Sequence, residues 1–355
     1  MSDYIRALNT ELLAGNGADV LVLDGLPVDS YIEKGVLSDI TDIINPLEEA
    51  GKVLSNITDY YHKDGKVYEM PLRFSIPVIA GKKEAIKAAD NTGNIVKYIE
   101  QANIPYCEST SYQALLSDYL ALYSGEIFIN GKLNEENFTL FLKNIKIIAD
   151  NIKAEENDVN PINYSKPSRM FFDNLFSGNV VSLGKKVATS TEQVKNIMDT
   201  MLLFEVLKDK DFEYKSINQM YIPGSVVGLN SKSRENDIAK KFIGFLFEEK
   251  VQNTNLYDGF PVNSGSIKKW AAEENTDLMI GISDADGNQV SAEWPEKEER
   301  EAFLNTVLEV KIPIEIDPIL INMIVEEAVP YLKGETGEGQ VVAAVKAKVN
   351  TYLAE

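Results

Sequence analysis

Residues 64–86 read "DGKVYEMPLRFSIPVIAGKKEAI", and the fold turns on how this stretch is divided. Asp64-Gly65 is a turn signal, and Lys66 to Ala80 is extended in character. Pro71 and Pro77 have no N–H to give a sheet ladder, so the spacing predicts two strand pieces rather than one central strand. The join falls near Arg73-Phe74-Ser75, the first expected passage between two parts of the molecule. Upstream, "LNTELLAGNGADVLVLDGLP" (residues 8–27) ends an amphipathic helix, breaks at glycine and runs into Val20–Leu23. That solid apolar run predicts a strand buried on both faces of a parallel sheet.

The helix before it spans about Asp3 to Ala14, with Ser2 as its N-cap and Gly15 as its stop. A short helix is expected from Pro27 to Gly35. Helix, strand, helix is the alternation of an α/β sheet. After the extended stretch the chain turns mainly helical, through "YQALLSDYLALYS" and through "NEENFTLFLKNIKIIADN" capped by Asn134. "ENDVNPINYSKP" reads as loop and "SRMFFDNLFSGNVVSLG" as helix, glycine stop and short strand. "NQMYIPGSVVGLNS" (218–231) and the turn-rich "LYDGFPVNSGSIKKW" (256–270) are the second and third expected passages. The last ninety residues are acidic and helical. Two lobes joined by several crossings explain this order, and extended crossings favour closure over a ligand.

Charge and composition exclude several functions. With 35 basic and 55 acidic residues in 355, the net charge is −20, which opposes a nucleic-acid surface or docking on anionic lipid. One histidine and one cysteine leave no thiolate cluster, classical zinc site or intrachain disulfide. His62 precedes a hairpin turn and reads as structural or solvent-facing, and Cys107 as a small semi-buried residue. No stretch approaches the ~20 apolar residues of a membrane span, and the first residues lack the basic start and apolar core of a signal peptide.

The glycine clusters "AGNGADV" and "GSVVGLNS" lack the spacing or lysine of phosphate loops. "DADGNQ" (284–289) reads as a hairpin turn between two extended runs rather than a calcium loop. Glu326-Glu327 reads as a solvated helix face. Asp24 follows the Val20–Leu23 run, where ligands of open α/β sheets bind. It either orients a ligand there or caps the Pro27 helix. Arg73 and Phe74 either line a cleft, by donated hydrogen bonds and ring stacking, or serve only the crossing.

"LNTELLAGNGADVLVLDGLPVDSYIEKGVLSDIT" (8–41) resembles the helix–strand–turn of the family 1 extracellular solute-binding proteins of ABC importers. The resemblance continues through residues 64–86, through "VGLNSKSRENDIAKKFIGFLFEEKVQNTNLYDGFPVNSGSIKKW" (227–270) and to "VVAAVKAKVNTYLAE" (341–355). It implies a periplasmic-binding-protein-like α/β fold, two α/β lobes joined by a hinge, with a helical C-terminal region. Lobe one would hold residues 1–74 plus 222–262, and lobe two 75–221 plus 263–355. A mono- or oligosaccharide would lie between them for delivery to a membrane permease, with no catalysis, cofactor or metal. Carried over by position, Asp24, Gly25 and Leu26 face the cleft from lobe one, and Arg73, Phe74 and Ser75 lie at the first crossing. Lys185 and Lys186 approach from lobe two, Tyr221 lies near the second crossing, and Asn322 stands where relatives often carry an aromatic ring.

The resemblance also implies an extracytoplasmic site of action, with a signal and often a lipid-anchored cysteine. These, and a strand–helix–strand before the first helix, are missing here, so the chain is expected to be a truncated form, able to self-associate through its open lobe. A receptor for a peptide or other non-sugar solute, a carboxylate-based glycosidase and a ligand-free adhesion module are the rival expectations.

Overall fold

The computed structural model describes residues 3–156, 176, 178, 180–208, 211–254, 259–274, 277–283, 289–314 and 317–353. The Ser2 cap, most of the 156–167 loop, the helix expected from Ser168 and the Asp286-Gly287 turn lie outside them. In chain order the elements begin with α1 (Asp3–Ala14), β1 (Val20–Val22), α2 (Val28–Glu33), β2 (Leu37–Ser38), α3 (Thr41–Glu49) and α4 (Ser55–Thr58). Next come β3 (His62–Lys63), β4 (Lys66–Val67), β5 (Glu69–Lys82), α5 (Lys83–Ala88), α6 (Thr92–Ile99) and α7 (Tyr112–Ile127). The hairpin β6 (Phe128–Ile129) and β7 (Lys132–Leu133) precedes α8 (Glu135–Ile152), β8 (Thr189–Val194), α9 (Ile197–Leu207) and β9 (Phe212–Ser216). Then follow β10 (Met220–Asn230), α10 (Asn236–Leu246), α11 (Glu249–Gln252), β11 (Phe260–Pro261), α12 (Ser264–Ala272), β12 (Met279–Ser283) and β13 (Gln289–Glu293). The chain finishes with α13 (Lys297–Glu309), β14 (Ile312–Pro313), α14 (Pro318–Leu332) and α15 (Glu338–Tyr352).

β5 organises all of this. The stretch does not divide near Arg73–Ser75; after β4, residues 69–82 form one strand of 14 residues, and what changes along it is the partner. Its first half pairs antiparallel with β10 (Glu69↔Gly228 to Ser75↔Ile222) and with β11 (Arg73↔Pro261). Its second half pairs with β8 (Ile76↔Val194 to Gly81↔Thr189) and β9 (Val78↔Ser216 to Lys82↔Phe212). The prolines fit because each falls where the ladder is already interrupted. Pro71 faces Val226, whose N–H is turned to the Asp24 carboxylate. Pro77 sits one step past the change of partner, with only its carbonyl engaged, by Ile217 N–H at 3.2 Å.

β9 and β10 run on as one strand with a loop-out. The steps from Ser75 to Val78 along β5 face those from Ser216 to Ile222. The extra residues turn through Asn218 (φ 51°) and Gln219 (φ 56°), both left-handed. The Gln219 carbonyl accepts from Lys311 N and Ile312 N, and Ile314 N donates to Tyr221 O at 2.7 Å. The segment 310–314 is therefore the third strand-like passage alongside the change of partner. Within the third expected passage, Phe260–Pro261 form β11 at the first-half edge of β5. Val53 bridges Asn263, and Asn56 Nδ2 donates to Val307 O and Val310 O, whereas the β12–β13 hairpin packs on α9.

Val20–Leu23 is the other correction. β1 is short, antiparallel and paired only with β10 among the described residues, and Val22 is 64% exposed while Leu21 and Leu23 are buried. An unbroken apolar run does not by itself report on both faces. Here alternate residues pack and the one between faces water. No described helix is long and apolar enough to cross a membrane.

Candidate functional site

Side chains of a strand alternate between faces, and β5 separates them cleanly. Met70, Phe74, Ile76, Val78 and Ala80 all enter one buried cluster, with Tyr221, Phe260, Phe247, Phe204 and Phe303. That cluster runs without a break past the point where β5 changes partner. The odd-numbered face behaves differently. Ile79 packs with α5–α8, α14 and α15 in a second cluster that also takes Ile222. Val226, opposite Pro71, belongs to a small third cluster with Leu12, Leu21, Leu23, Tyr31 and Leu37. On this face the apolar residues belong to two clusters, which part between Val226 (opposite Pro71) and Ile222 (opposite Ser75), just before β5 changes partner.

Between these clusters the face carries polar side chains. Ser75 is 4% exposed, and Gln193, opposite Pro77 on β8, donates from Nε2 to Ser75 Oγ at 2.7 Å. This bond ties the two halves of the sheet together at their junction. Gln193 went unnoticed in the sequence, because only its register opposite β5 brings "TSTEQV" here. Arg73 lies on the same face but is 4% exposed. Its guanidinium donates to Gln252 O at 2.9 Å, Val251 O at 3.5 Å and Thr254 Oγ1 at 3.3 Å, at the carbonyl end of α11 where positive charge is favoured.

Asp24 Oδ1 accepts from Ser225 N at 2.8 Å and its Oδ2 from Val226 N at 3.0 Å. Ser225 is left-handed (φ 51°) within β10, and the carboxylate satisfies the backbone donors that this kink releases. α2 has Pro27 at its N-cap position, which offers no side-chain cap. Gly25 (φ 72°) makes the turn after Asp24, closed by Leu26 N to Leu23 O at 2.9 Å.

The remaining expected residues are distributed unevenly. Phe74 (1% exposed) and Tyr221 (0%) lie edge-to-face with each other in the continuous core, and Tyr221 Oη donates to Ile57 O. Both rings lie on the opposite face from Ser75. Lys185 and Lys186 are exposed on the turn after Gly184 (φ 70°). Asn322 is half-buried in the second turn of α14, donating to Glu326 Oε1 at 2.8 Å.

Titratable groups elsewhere are structural. His62 bonds both Glu48 oxygens, at 3.0 and 3.1 Å, and Glu327 pairs with Lys348. Burial pushes the Cys107 thiol up to about 12, the Asp118 carboxyl to about 7 and the Glu192 carboxyl to about 7. Glu192 accepts from Ser190 Oγ at 2.6 Å on the continuous-core face. No group of three or more metal-ligating side chains occurs among the described residues.

No protein-family model and no curated protein matches the chain. Solved structures do. A Streptococcus pneumoniae solute-binding protein in complex with the blood group A-trisaccharide is 15% identical, with 99% of this chain and 89% of that one aligned and a TM-score of 0.55. The sugar-binding protein MalE of Xanthomonas citri is 12% identical over 98% of this chain and 87% of its own, with a TM-score of 0.58. An extracellular solute-binding protein family 1 member from Alicyclobacillus acidocaldarius is 16% identical over 99% and 88%, with a TM-score of 0.54. With nearly its whole length aligned to each of them, the chain has the α/β fold of the extracellular solute-binding proteins.

Proposed function

We propose that the chain is the carbohydrate-binding receptor of an ABC importer, acting outside the cytoplasm and passing its ligand unchanged to a membrane permease. Lobe one comprises residues 3–75 and 222–310, and lobe two 76–221 and 314–353. This division differs from the sequence-based one at Ser75 and at 263–310, where Asn263, Val307 and Val310 contact Val53 and Asn56. The observation that carries the reading is the split of the odd-numbered face over the polar Ser75–Gln193 floor. A gap with an apolar cluster on each flank and convergent polar groups at its base suits a small polar ligand.

Asp24, Gly25 and Leu26 would form the lobe-one wall and Asn322 and Lys185 the lobe-two wall, with Arg73 holding the crossing strand in place. Phe74 and Tyr221 would act from behind, by fixing the strand whose other face carries Ser75. Support for a sugar comes from proteins of this fold: besides the trisaccharide complex, others were solved with cycloalternan and with β-1,6-galactobiose. Ligand that bridges both walls favours the closed arrangement by its differential affinity alone.

A carbohydrate panel read by thermal unfolding tests this. At a hundred times its dissociation constant a bound sugar adds about 2.7 kcal/mol. A raised Tm with the sugar recovered intact supports the proposal. No shift from any sugar, with a shift from a peptide or other solute, would replace the ligand class. Hydrolysis of a chromogenic glycoside would replace the proposal altogether.

A further inference from the structure

β1 is an edge strand, and its ladder fixes which of its backbone groups are engaged. Asn230 N donates to Asp19 O and Leu23 N to Val226 O, so the odd-numbered residues bond β10 in the register Leu21↔Gly228. Antiparallel alternation then turns the N–H and C=O of Val20 and Val22 to the other side, where no described strand pairs with them. Edges of natural sheets are commonly blunted by proline, a bulge or charge. Val20–Val22 carries neither proline nor charge, and its register is unbroken. The flanking acids do not guard it. Asp24 holds Ser225 N and Val226 N, and Asp19 Oδ1 accepts from Ser233 Oγ at 2.6 Å, so both carboxylates are turned toward β10 and its continuation.

The helix beside this edge is apolar on the side it shows. α10 packs on β10 and α3, and its Ala239 and Ile243 enter the buried cluster that Val20 joins. Gly244 lies against Ile43 and Lys240 pairs with Asp42, so α3 covers one flank. Ile238 (63% exposed), Phe242 (48%) and Phe245 (39%) occupy the opposite flank, with the two rings stacked at 6.5 Å. β2, which leads into α3, shares an edge of β10 with β5, and β1 takes the other edge. The apolar flank of α10 therefore overhangs β1.

We infer that β1 pairs antiparallel with β1 of a second copy of this chain about a two-fold axis, with Ile238 and Phe242 of both α10 helices closing over the join. Centred on Leu21, the pairing sets Val20 of each copy opposite Val22 of the other. The same free groups then satisfy each other, as an isologous contact requires. The two α10 helices, each over its own β10, stand three strand spacings or about 14 Å apart, a space that Ile and Phe side chains fill. A charge of −20 on each copy opposes association, so the contact should tighten as salt screens it. None of this depends on which ligand the chain binds.

Sedimentation of the chain over a range of concentrations, at low and high salt, tests the inference. A monomer–dimer equilibrium that shifts toward dimer with salt is expected. Val22→Pro removes an N–H facing the open side and keeps the Leu21 and Leu23 bonds to β10, so it should weaken the dimer about tenfold or more. Phe242→Gln, at an exposed helix position, should also weaken it and stands in if the proline variant fails to fold. Ile147→Gln, equally exposed but on α8, should leave it unchanged. In a Cys107→Ser background, Val22→Cys should be linked into dimers by a short bismaleimide and Ile147→Cys should not. A monomer under all conditions, or a dimer that neither Val22→Pro nor Phe242→Gln weakens more than Ile147→Gln does, would overturn the inference.

Discussion

The even- and odd-numbered faces of β5 come from the same 14 residues and do opposite things. Even residues bury into one apolar cluster that ignores the change of strand partner. Odd residues meet two separate clusters with Ser75 and Gln193 between them. A single strand can thus be a continuous apolar spine on one side and carry buried polar groups between two clusters on the other. The lesson concerns neighbours: Phe74 and Ser75 are adjacent in sequence, yet one enters the apolar core and the other is a buried polar residue bonded to Gln193.

Substitution at these two positions is the strongest way to break the contrast. Phe74→Ala should lower unfolding free energy by about 3–5 kcal/mol, as for other buried phenylalanines. Ser75→Ala should cost no more than about 1.5 kcal/mol, the worth of one hydrogen bond, while weakening ligand binding. Urea unfolding of both variants decides it, and equal losses would mean the two faces are not distinct. Asp24→Ala comes next, because its carboxylate holds two backbone donors at the Ser225 kink. A loss of about 1.5–3 kcal/mol is expected, and no measurable loss would show that the kink does not depend on it.

Much of the layout was legible beforehand. The α/β class and the extended runs around residue 75 and after Asn218 follow from periodicity and turn residues. The long helices followed too: Asn134 caps α8 by accepting from Asn137 N at 3.0 Å. The failures share a cause. That 69–82 is one strand and that Val22 faces water both depend on pairing between distant segments, which local pattern does not encode. The site was legible only in part for the same reason. Residue type alone made Phe74 and Tyr221 good stacking candidates, and only the register puts them behind the floor.

Stability should also depend on pH in a direction set by buried acids. Asp118 and Glu192, raised to about 7 from 3.8 and 4.5, bind protons in the folded state that the unfolded state has released. Stability therefore falls as pH rises from about 4 to 7, by at most about 1.4 kcal/mol per pH unit for each group. Glu192→Gln should remove part of this slope in urea unfolding at pH 4.5 and 7, and an unchanged slope would count against the buried carboxyl. The smallest effect is expected at Val22. Val22→Lys on the β1 edge should change stability by no more than about 0.5 kcal/mol, whereas a strand buried on both faces would not tolerate it.

The central claim is that ligand sits over the Ser75–Gln193 floor, and hydrogen exchange of the sugar-bound protein tests it most directly. The account predicts slowed exchange confined to residues 24–26, 73–77, 191–195 and the first turns of α14. Protection centred on α8 or α10, or none anywhere with a sugar that raises the Tm, would contradict it.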